Sequence, residues 1–170
     1  MPGRDQKEAW RAFKDPISRA VGCLDMSARL VERRFENGVM LLGSSSPGIK
    51  FGDALMLVFS LQLEPVKDAD QWRMTTRRYD FTLVSRTRST EVVFGWHWHP
   101  ASKRSRITYP HVHVPSASAF KTRHIPTGRV ALEDVILFGF DDLGVLPAHQ
   151  DARRIVAEVR DKHRQYRSWH

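Results

Sequence analysis

The run from Ala54 to Glu64 constrains the fold more than any other stretch of the sequence. A large apolar residue stands at every second position from Leu55 to Leu63, while serine, glutamine and glutamate make the other series partly polar. Because successive side chains of a β-strand point to opposite faces, this alternation predicts a strand with one face on a core. Pro65 is expected to end the strand, since proline lacks the N–H that a sheet ladder uses.

Further strand-like runs follow this one. Gln71 to Val84 is a long extended run in which Trp72 and Phe81 have opposite phases, so a bulge or bend is predicted near Arg77-Arg78. Polar residues at 85–90 separate it from a Trp/His run at 92–98, and a His-rich run ends at 114. Consecutive strands with short polar connections predict an antiparallel meander.

Helical patterns flank this predicted sheet. Residues 1–14 form an amphipathic pattern around Trp10 and Phe13, which Pro16 is expected to end or redirect. An Asn-Gly turn signal at 37–38 favours a hairpin between this helix and the sheet. Thr127 is expected to cap a helix that runs to about Phe140, and a basic amphipathic helix follows it.

Strands followed by helices predict a single α+β domain, an antiparallel meander with helices packed on one face. Its predicted parts are an N-terminal helix and hairpin at 1–42, a loop at 43–52, the sheet at 54–114 and helices at 127–168. The lone cysteine, Cys23, excludes an intrachain disulfide and favours a reducing cytosol. No apolar run approaches about 18 residues and the N-terminus is polar, so we expect a cytoplasmic protein without a membrane segment.

Two His-x-His pairs give the strongest chemical signal in the chain. Each pair lies in a strand-like run, so its two imidazoles share a face, and a tyrosine joins the second pair. A hairpin about Lys103 would set His97 opposite Tyr109 and Gly95 opposite His111, where the glycine leaves room for the ring. The candidate catalytic residues are His97, His99, Tyr109, His111 and His113.

This predicted histidine face admits three chemical interpretations. A histidine base, a histidine acid and a cation would suffice for ribonuclease chemistry, without a cofactor. Zinc is the alternative, and its ligands would be His97, His99, His111 and His113. Without a thiolate or a clear acidic ligand nearby, we favour acid–base use. The third interpretation is that these histidines only hold the strands together, in a non-catalytic module that binds nucleic acid or protein.

The charge of the chain predicts an anionic partner. Lys and Arg number 27 against 19 Asp and Glu, and the net charge is +8. Nucleic acid and an acidic protein both fit such an excess. Phosphate contacts are expected from the basic connection and from the turn before the predicted 127–140 helix, unless its threonine only caps that helix. The candidate substrate-binding residues are Lys103, Arg104, Arg106, Arg123, His124, Thr127 and Arg129.

Three short motifs carry a resemblance to known proteins. They are Phe94-Gly-Trp-His-Trp-His-Pro, Tyr-Pro-His-Val-His-Val from Tyr109, and His-Ile-Pro-Thr-Gly-Arg from His124. The stretch 54–145 resembles a family of small uncharacterised bacterial proteins and, more loosely, is similar to TumE-type toxins of toxin–antitoxin modules. Those toxins usually carry an aspartate-asparagine pair where this chain has Lys-Arg-Ser-Arg. The resemblance implies a toxin with an antitoxin protein as its partner. Together with the basic charge and the predicted histidine face, it favours an endoribonuclease that acts on RNA. The sequence leaves the oligomeric state open.

Overall fold

The computed structural model describes residues 2–35, 38–88, 91–100, 107–115 and 123–166. Its helices are α1 (Gln6–Gly22), α2 (Leu132–Asp141) and α3 (Ala152–Tyr166). Its strands are β1 (Leu30–Arg34), β2 (Met40–Ser44), β3 (Ile49–Phe51), β4 (Leu55–Asp68), β5 (Gln71–Ser85), β6 (Val92–Trp98), β7 (His111–His113) and β8 (Ile125–Pro126). The predicted α+β fold is confirmed.

One antiparallel sheet contains these strands. Its order is β1-β2-β4-β5-β6-β7-β8, and β3 pairs with β4 beside β2. The long β4–β5 hairpin forms the centre, with Phe59 opposite Phe81. The predicted meander is therefore present, and the hairpin expected around 37–38 is formed by β1 and β2, with Asn37 itself outside the described residues.

The three described helices pack on one face of the sheet and bury the predicted alternating side chains. Leu57 and Leu63 of β4 are 0% exposed and belong to one core cluster with Ile17 of α1, Val135 of α2 and Val156 of α3. This shared core fixes the helix layer on one side of the sheet. Among the described residues, no helix is long and apolar enough to cross a membrane.

The predicted β-bulge is present at Arg77. Gln62 pairs with Arg78, whereas Leu63 pairs with Thr76, so Arg77 is the extra residue. The phase change between Trp72 and Phe81 required such an insertion, because a slip of one residue reverses every side chain. Downstream of the bulge, the odd-numbered positions of β5 face the core and the even-numbered positions face away from the helices.

Two prolines do not end the elements that contain them. Pro16 lies inside α1, which begins after the Asp5 N-cap and continues to Gly22. A proline inside a helix costs about 3 kcal/mol, and the burial of Ile17 and Val21 beyond it, about 1.5–3 kcal/mol each, offsets that cost. Pro65 lies within β4, opposite Met74 of β5. The pairing of β2 with β4 ends at Leu63, so the edge of β4 at Pro65 is open, and the missing N–H of the proline removes no ladder hydrogen bond there.

The segment predicted as a loop at 43–52 is only partly a loop. Strand β2 extends to Ser44, and Ile49 and Phe51 form the short strand β3. The side chains of Ile49 and Phe51 are each 1% exposed, because they reach the core that the β4 side chains also fill. The gain from burying two large apolar groups explains why a Ser/Gly/Pro-rich segment gives a strand here.

Candidate active site

The site lies on the sheet face opposite the helices. On β6, Trp96 and Trp98 are buried on the helix side, and Trp96 packs against Phe138 of α2 with ring centroids 5.5 Å apart. The alternation of the strand therefore turns His97 to the other face. On β7, Val112 is buried in the core and its neighbours His111 and His113 face the same way as His97.

The register of β6 and β7 differs from the predicted one by two residues. His97 pairs with His111 and Gly95 with His113, whereas the predicted partners were Tyr109 and His111. The proline that precedes His111 has no N–H to donate, which favours a ladder that starts after it. Because the shift is an even number of residues, the imidazoles keep the face that the sequence predicts.

Gly95 makes room for His97 rather than for His111. A Cβ on this glycine would lie 2.5 Å from Nε2 of His97, so the ring leans over the glycine on its own strand. A side chain at this position would push the His97 ring away from its place between the strands.

Asp80 is a member of the site that the sequence analysis missed. It pairs with His97 across β5 and β6, and its Oδ1 lies 2.8 Å from His97 Nδ1 and 2.9 Å from His99 Nε2. Its other oxygen accepts a hydrogen bond from Nε of Arg78 at 3.1 Å. The signal in the sequence was a lone acidic residue on the polar phase of the strand beside the Trp/His run, just after the predicted bulge.

The ionised carboxylate of Asp80 fixes the tautomer of His97. Burial raises the pKa of this carboxyl, but the hydrogen bond from His97 and the charges of His99 and Arg78 lower the pKa by more, and the net pKa is below its ordinary value. An ionised carboxylate only accepts hydrogen bonds, so Nδ1 of His97 carries the proton that it donates. In the neutral imidazole, the lone pair is therefore on Nε2.

A second cluster consists of His111, His113 and His124. Ring centroids are 5.0 Å apart between His111 and His113, 4.8 Å between His111 and His124, and 4.2 Å between His113 and His124. Strand β8 brings in His124, because its register with β7 places this residue across from His113. The sequence did not predict β8, since a strand of two residues shows no periodicity.

Each of the two clusters brings three potential metal-ligating atoms close together. One nitrogen or oxygen from each of Asp80, His97 and His99 lies within 4.8 Å of the others, and the same holds for His111, His113 and His124. The clusters adjoin each other, with ring centroids of His97 and His113 5.0 Å apart. The sheet therefore sets an acidic partner next to five imidazoles, in contrast to the expectation that no acidic ligand was near.

Burial and crowding favour the neutral form of His99, His113 and His124. Burial, followed by the charges of His124 and the other histidines, lowers the pKa of His113 to about 4. Burial also lowers the pKa of His124, and it lowers the pKa of His99 despite the opposing charge of Asp80. Neutral imidazoles have a lone pair that accepts a proton or coordinates a metal ion.

The predicted substrate-binding residues are only partly brought together. Tyr109 is 43% exposed and lies just before β7, with its ring centroid 6.1 Å from that of His111. Arg123 is exposed next to His124. The guanidinium of Arg129 lies 3.7 Å from the ring centroid of Trp98, on a core-facing side chain, so it is not grouped with the imidazoles. Lys103, Arg104 and Arg106 lie outside the described residues.

Thr127 is not a helix cap, which corrects the sequence prediction. Helix α2 begins after Ala131, whose N–H donates to the Asp134 carboxylate at 3.0 Å. The backbone N–H of Thr127 instead donates to the carbonyl of Pro110 at 2.9 Å. This residue therefore holds the β8 segment against the start of β7 and supports the position of His124.

The two clusters on this face of the sheet therefore differ in their chemistry. In the first cluster a carboxylate orients His97, and the second cluster is a group of three imidazoles beside it. Such an arrangement suits proton transfer, coordination of a cation, or both. No protein-family model, curated protein or solved structure matches the chain, so the chemistry of these residues is the guide to its function.

Proposed function

We propose that the protein is a toxin-like endoribonuclease of a bacterial toxin–antitoxin module, and that His97 is its general base. The observation that carries the catalytic part is the 2.8 Å contact between Asp80 Oδ1 and His97 Nδ1. A carboxylate that orients an imidazole in this way leaves Nε2 as the base and stabilises the imidazolium that forms. The three sequence motifs support the toxin part of the proposal.

In the proposed reaction, RNA supplies its own nucleophile. Nε2 of His97 removes the proton of a ribose 2′-hydroxyl, and the O2′ atom attacks the adjacent phosphorus. The P–O5′ bond breaks, a 2′,3′-cyclic phosphate forms, and the leaving O5′ takes up a proton. This base half of the reaction requires no cofactor. His111 faces His97 from the neighbouring strand, with ring centroids 5.8 Å apart. Assistance to the leaving oxygen comes from this side of His97.

The charge of the chain supports RNA as the substrate. A net charge of +8 favours a polyanion, and an acidic antitoxin would compete for the same surface. Arg78, which contacts Asp80, and the exposed Arg123 are the described cations next to the clusters. The proposed site of action is the bacterial cytoplasm, which the lone cysteine supports.

The test is cleavage of a mixed-sequence single-stranded RNA by purified protein, with the all-DNA counterpart as a second substrate. We expect cleavage of RNA only, with 2′,3′-cyclic phosphate ends. His97→Ala should lower the rate by about 10²–10⁴-fold, the usual contribution of a general base. Asp80→Asn should lower it substantially, because the amide does not hold the same tautomer.

The matched control is Asp53→Asn, which removes a carboxylate that is 97% exposed and outside the site. This variant should cleave RNA at the wild-type rate. Expression of the wild-type protein should arrest bacterial growth, and His97→Ala should relieve the arrest. If His97→Ala folds, as judged by circular dichroism, and cleaves as the wild type does, His97 is not the base. If the folded wild-type protein cleaves no RNA at all, the endoribonuclease proposal is refuted and the alternative of a binding module is favoured.

A further inference from the structure

The second cluster differs from the first in what its nitrogen atoms contact. In the first cluster, nitrogens of His97 and His99 face Asp80, so they engage a carboxylate. In the second, His111, His113 and His124 face one another, and no carboxylate of the described residues belongs to the group. Three imidazoles that converge without an anionic acceptor form a ligand set suited to a cation.

Burial and a hydrogen bond to the backbone fix the orientation of the His111 ring. Its side chain is among the few buried polar groups of the described chain, at 4% exposure, and its Nδ1 lies 2.9 Å from the carbonyl oxygen of Tyr109. A carbonyl only accepts, so Nδ1 carries a proton, and the neutral ring has its lone pair on Nε2. Metal-binding histidines usually donate their second N–H to a carbonyl or carboxylate, which orients the ring in the same way.

We propose that His111, His113 and His124 bind one divalent transition-metal ion, zinc by preference. Imidazole is a suitable ligand for zinc, and three protein ligands with an open fourth position are typical of catalytic rather than structural sites. The ligand atoms lie within 4.8 Å of one another. Zinc–nitrogen bonds of about 2.0–2.1 Å require them to approach further, and side-chain rotation of His124, which precedes the two-residue β8, supplies that approach.

The position of the ion next to His97 indicates its chemical role in RNA cleavage, and this role rests on the proposed function. The ring of His113 is 5.0 Å from that of His97, so an ion held by His111, His113 and His124 would lie near the proposed base. Such an ion would supply stabilisation of the negative charge on the leaving O5′ and a bound water acidic enough to protonate that oxygen. His97 would remove the proton of the 2′-hydroxyl at the other end of the same phosphodiester linkage.

The test is titration of the chelator-treated full chain with zinc by calorimetry, and with cobalt by visible absorption. We expect one ion per chain and a tetrahedral cobalt spectrum. His113→Ala and His124→Ala should each lower the zinc affinity by about 100-fold or more, since even loss of an outer-shell partner costs about 10–100-fold. His149→Ala, which removes an exposed histidine outside both clusters, should bind zinc as the wild type does.

Two results would overturn the metal site. One is the absence of stoichiometric binding to the wild type. The other is a loss of affinity in His99→Ala as large as in His124→Ala, which would place the ion in the first cluster. RNA cleavage is measured in the same samples with and without chelator. Cleavage without zinc binding refutes the metal site and leaves the endoribonuclease proposal intact, whereas stoichiometric zinc on the triad without cleavage of RNA refutes the endoribonuclease proposal alone.

Discussion

The buried pair of Glu133 and His163 allows a quantitative prediction for the stability of the helix layer. The Glu133 side chain is 1% exposed and that of His163 is 6% exposed, and the two hydrogen-bond between α2 and α3. The His163 ring also stacks on Phe13 of α1, with centroids 5.2 Å apart. The pair therefore joins α1, α2 and α3 behind the sheet that carries the candidate site.

Truncation of Glu133 leaves the buried His163 ring without the hydrogen bond at Nδ1. A buried polar group that loses its partner costs about 1–3 kcal/mol, and more where the group is charged. We expect Glu133→Ala to lower the free energy of unfolding by about 3 kcal/mol, and a loss of 3 kcal/mol lowers Tm by roughly 6–12 °C in a domain of this size. Replacing both residues with apolar groups, as in Glu133→Met with His163→Phe, should be neutral to within about 1 kcal/mol or stabilising.

The measurement is urea unfolding followed by circular dichroism, with linear extrapolation to water. The matched control is Glu158→Ala, because Glu158 pairs with Arg154 on the exposed surface of α3. That variant should lose less than about 1 kcal/mol, as exposed ion pairs do. The reasoning is refuted if Glu133→Ala is as stable as Glu158→Ala. It is also refuted if the double apolar variant is as unstable as the single one.

Two further predictions concern the imidazole face and RNA. Gly95→Ala should displace the His97 ring and lower the rate of RNA cleavage at least about tenfold. The control is Gly22→Ala, whose new Cβ meets nothing within 4 Å and which should cleave RNA at the wild-type rate. Equal rates for the two variants would contradict the packing argument. RNA affinity should fall steeply with salt, and charge reversal at Lys103, Arg104 and Arg106 should reduce the log–log slope by about 0.7 for each phosphate that the protein then leaves unneutralised. Lys67→Glu, on an exposed end of β4 beyond its pairing with β2, should leave the slope unchanged. A salt-independent affinity would contradict the electrostatic origin of binding.

Local alternation was sufficient to predict the centre of the sheet. Strands β4, β5 and β6 are long and have one continuous apolar face, and a change of phase within β5 can be accommodated only by an extra residue such as Arg77. The prolines show the limit of local rules. Pro16 and Pro65 were expected to end their elements, but the burial of Ile17 and the open edge beside Pro65 made both tolerable, and neither condition is visible in the sequence.

The candidate site was predictable in its residue types but not in its grouping. The sequence predicts His97 and His111 on one face, because period 2 decides the face of a strand. Asp80 was missed because its distance from His97 along the chain, 17 residues, is bridged only by the pairing of β5 with β6. The sequence assigns His124 to a phosphate-binding turn, because the two-residue β8 that carries it to His113 has no sequence signal.

The register of the sheet is what divides the imidazoles into two groups. One row across the strands reads Asp80, His97 and His111, and the next row sets Gly95 beside His113. In the predicted register, His97 would have faced Tyr109, and His113 would have lain two residues further from it along the strands. The observed register brings His113 next to the space above the glycine, where the His97 ring leans. A carboxylate at one end of the first row orients His97 for its proposed role as a base. The imidazoles at the other end face no carboxylate of the described residues, which is the arrangement that the proposed cation would complete.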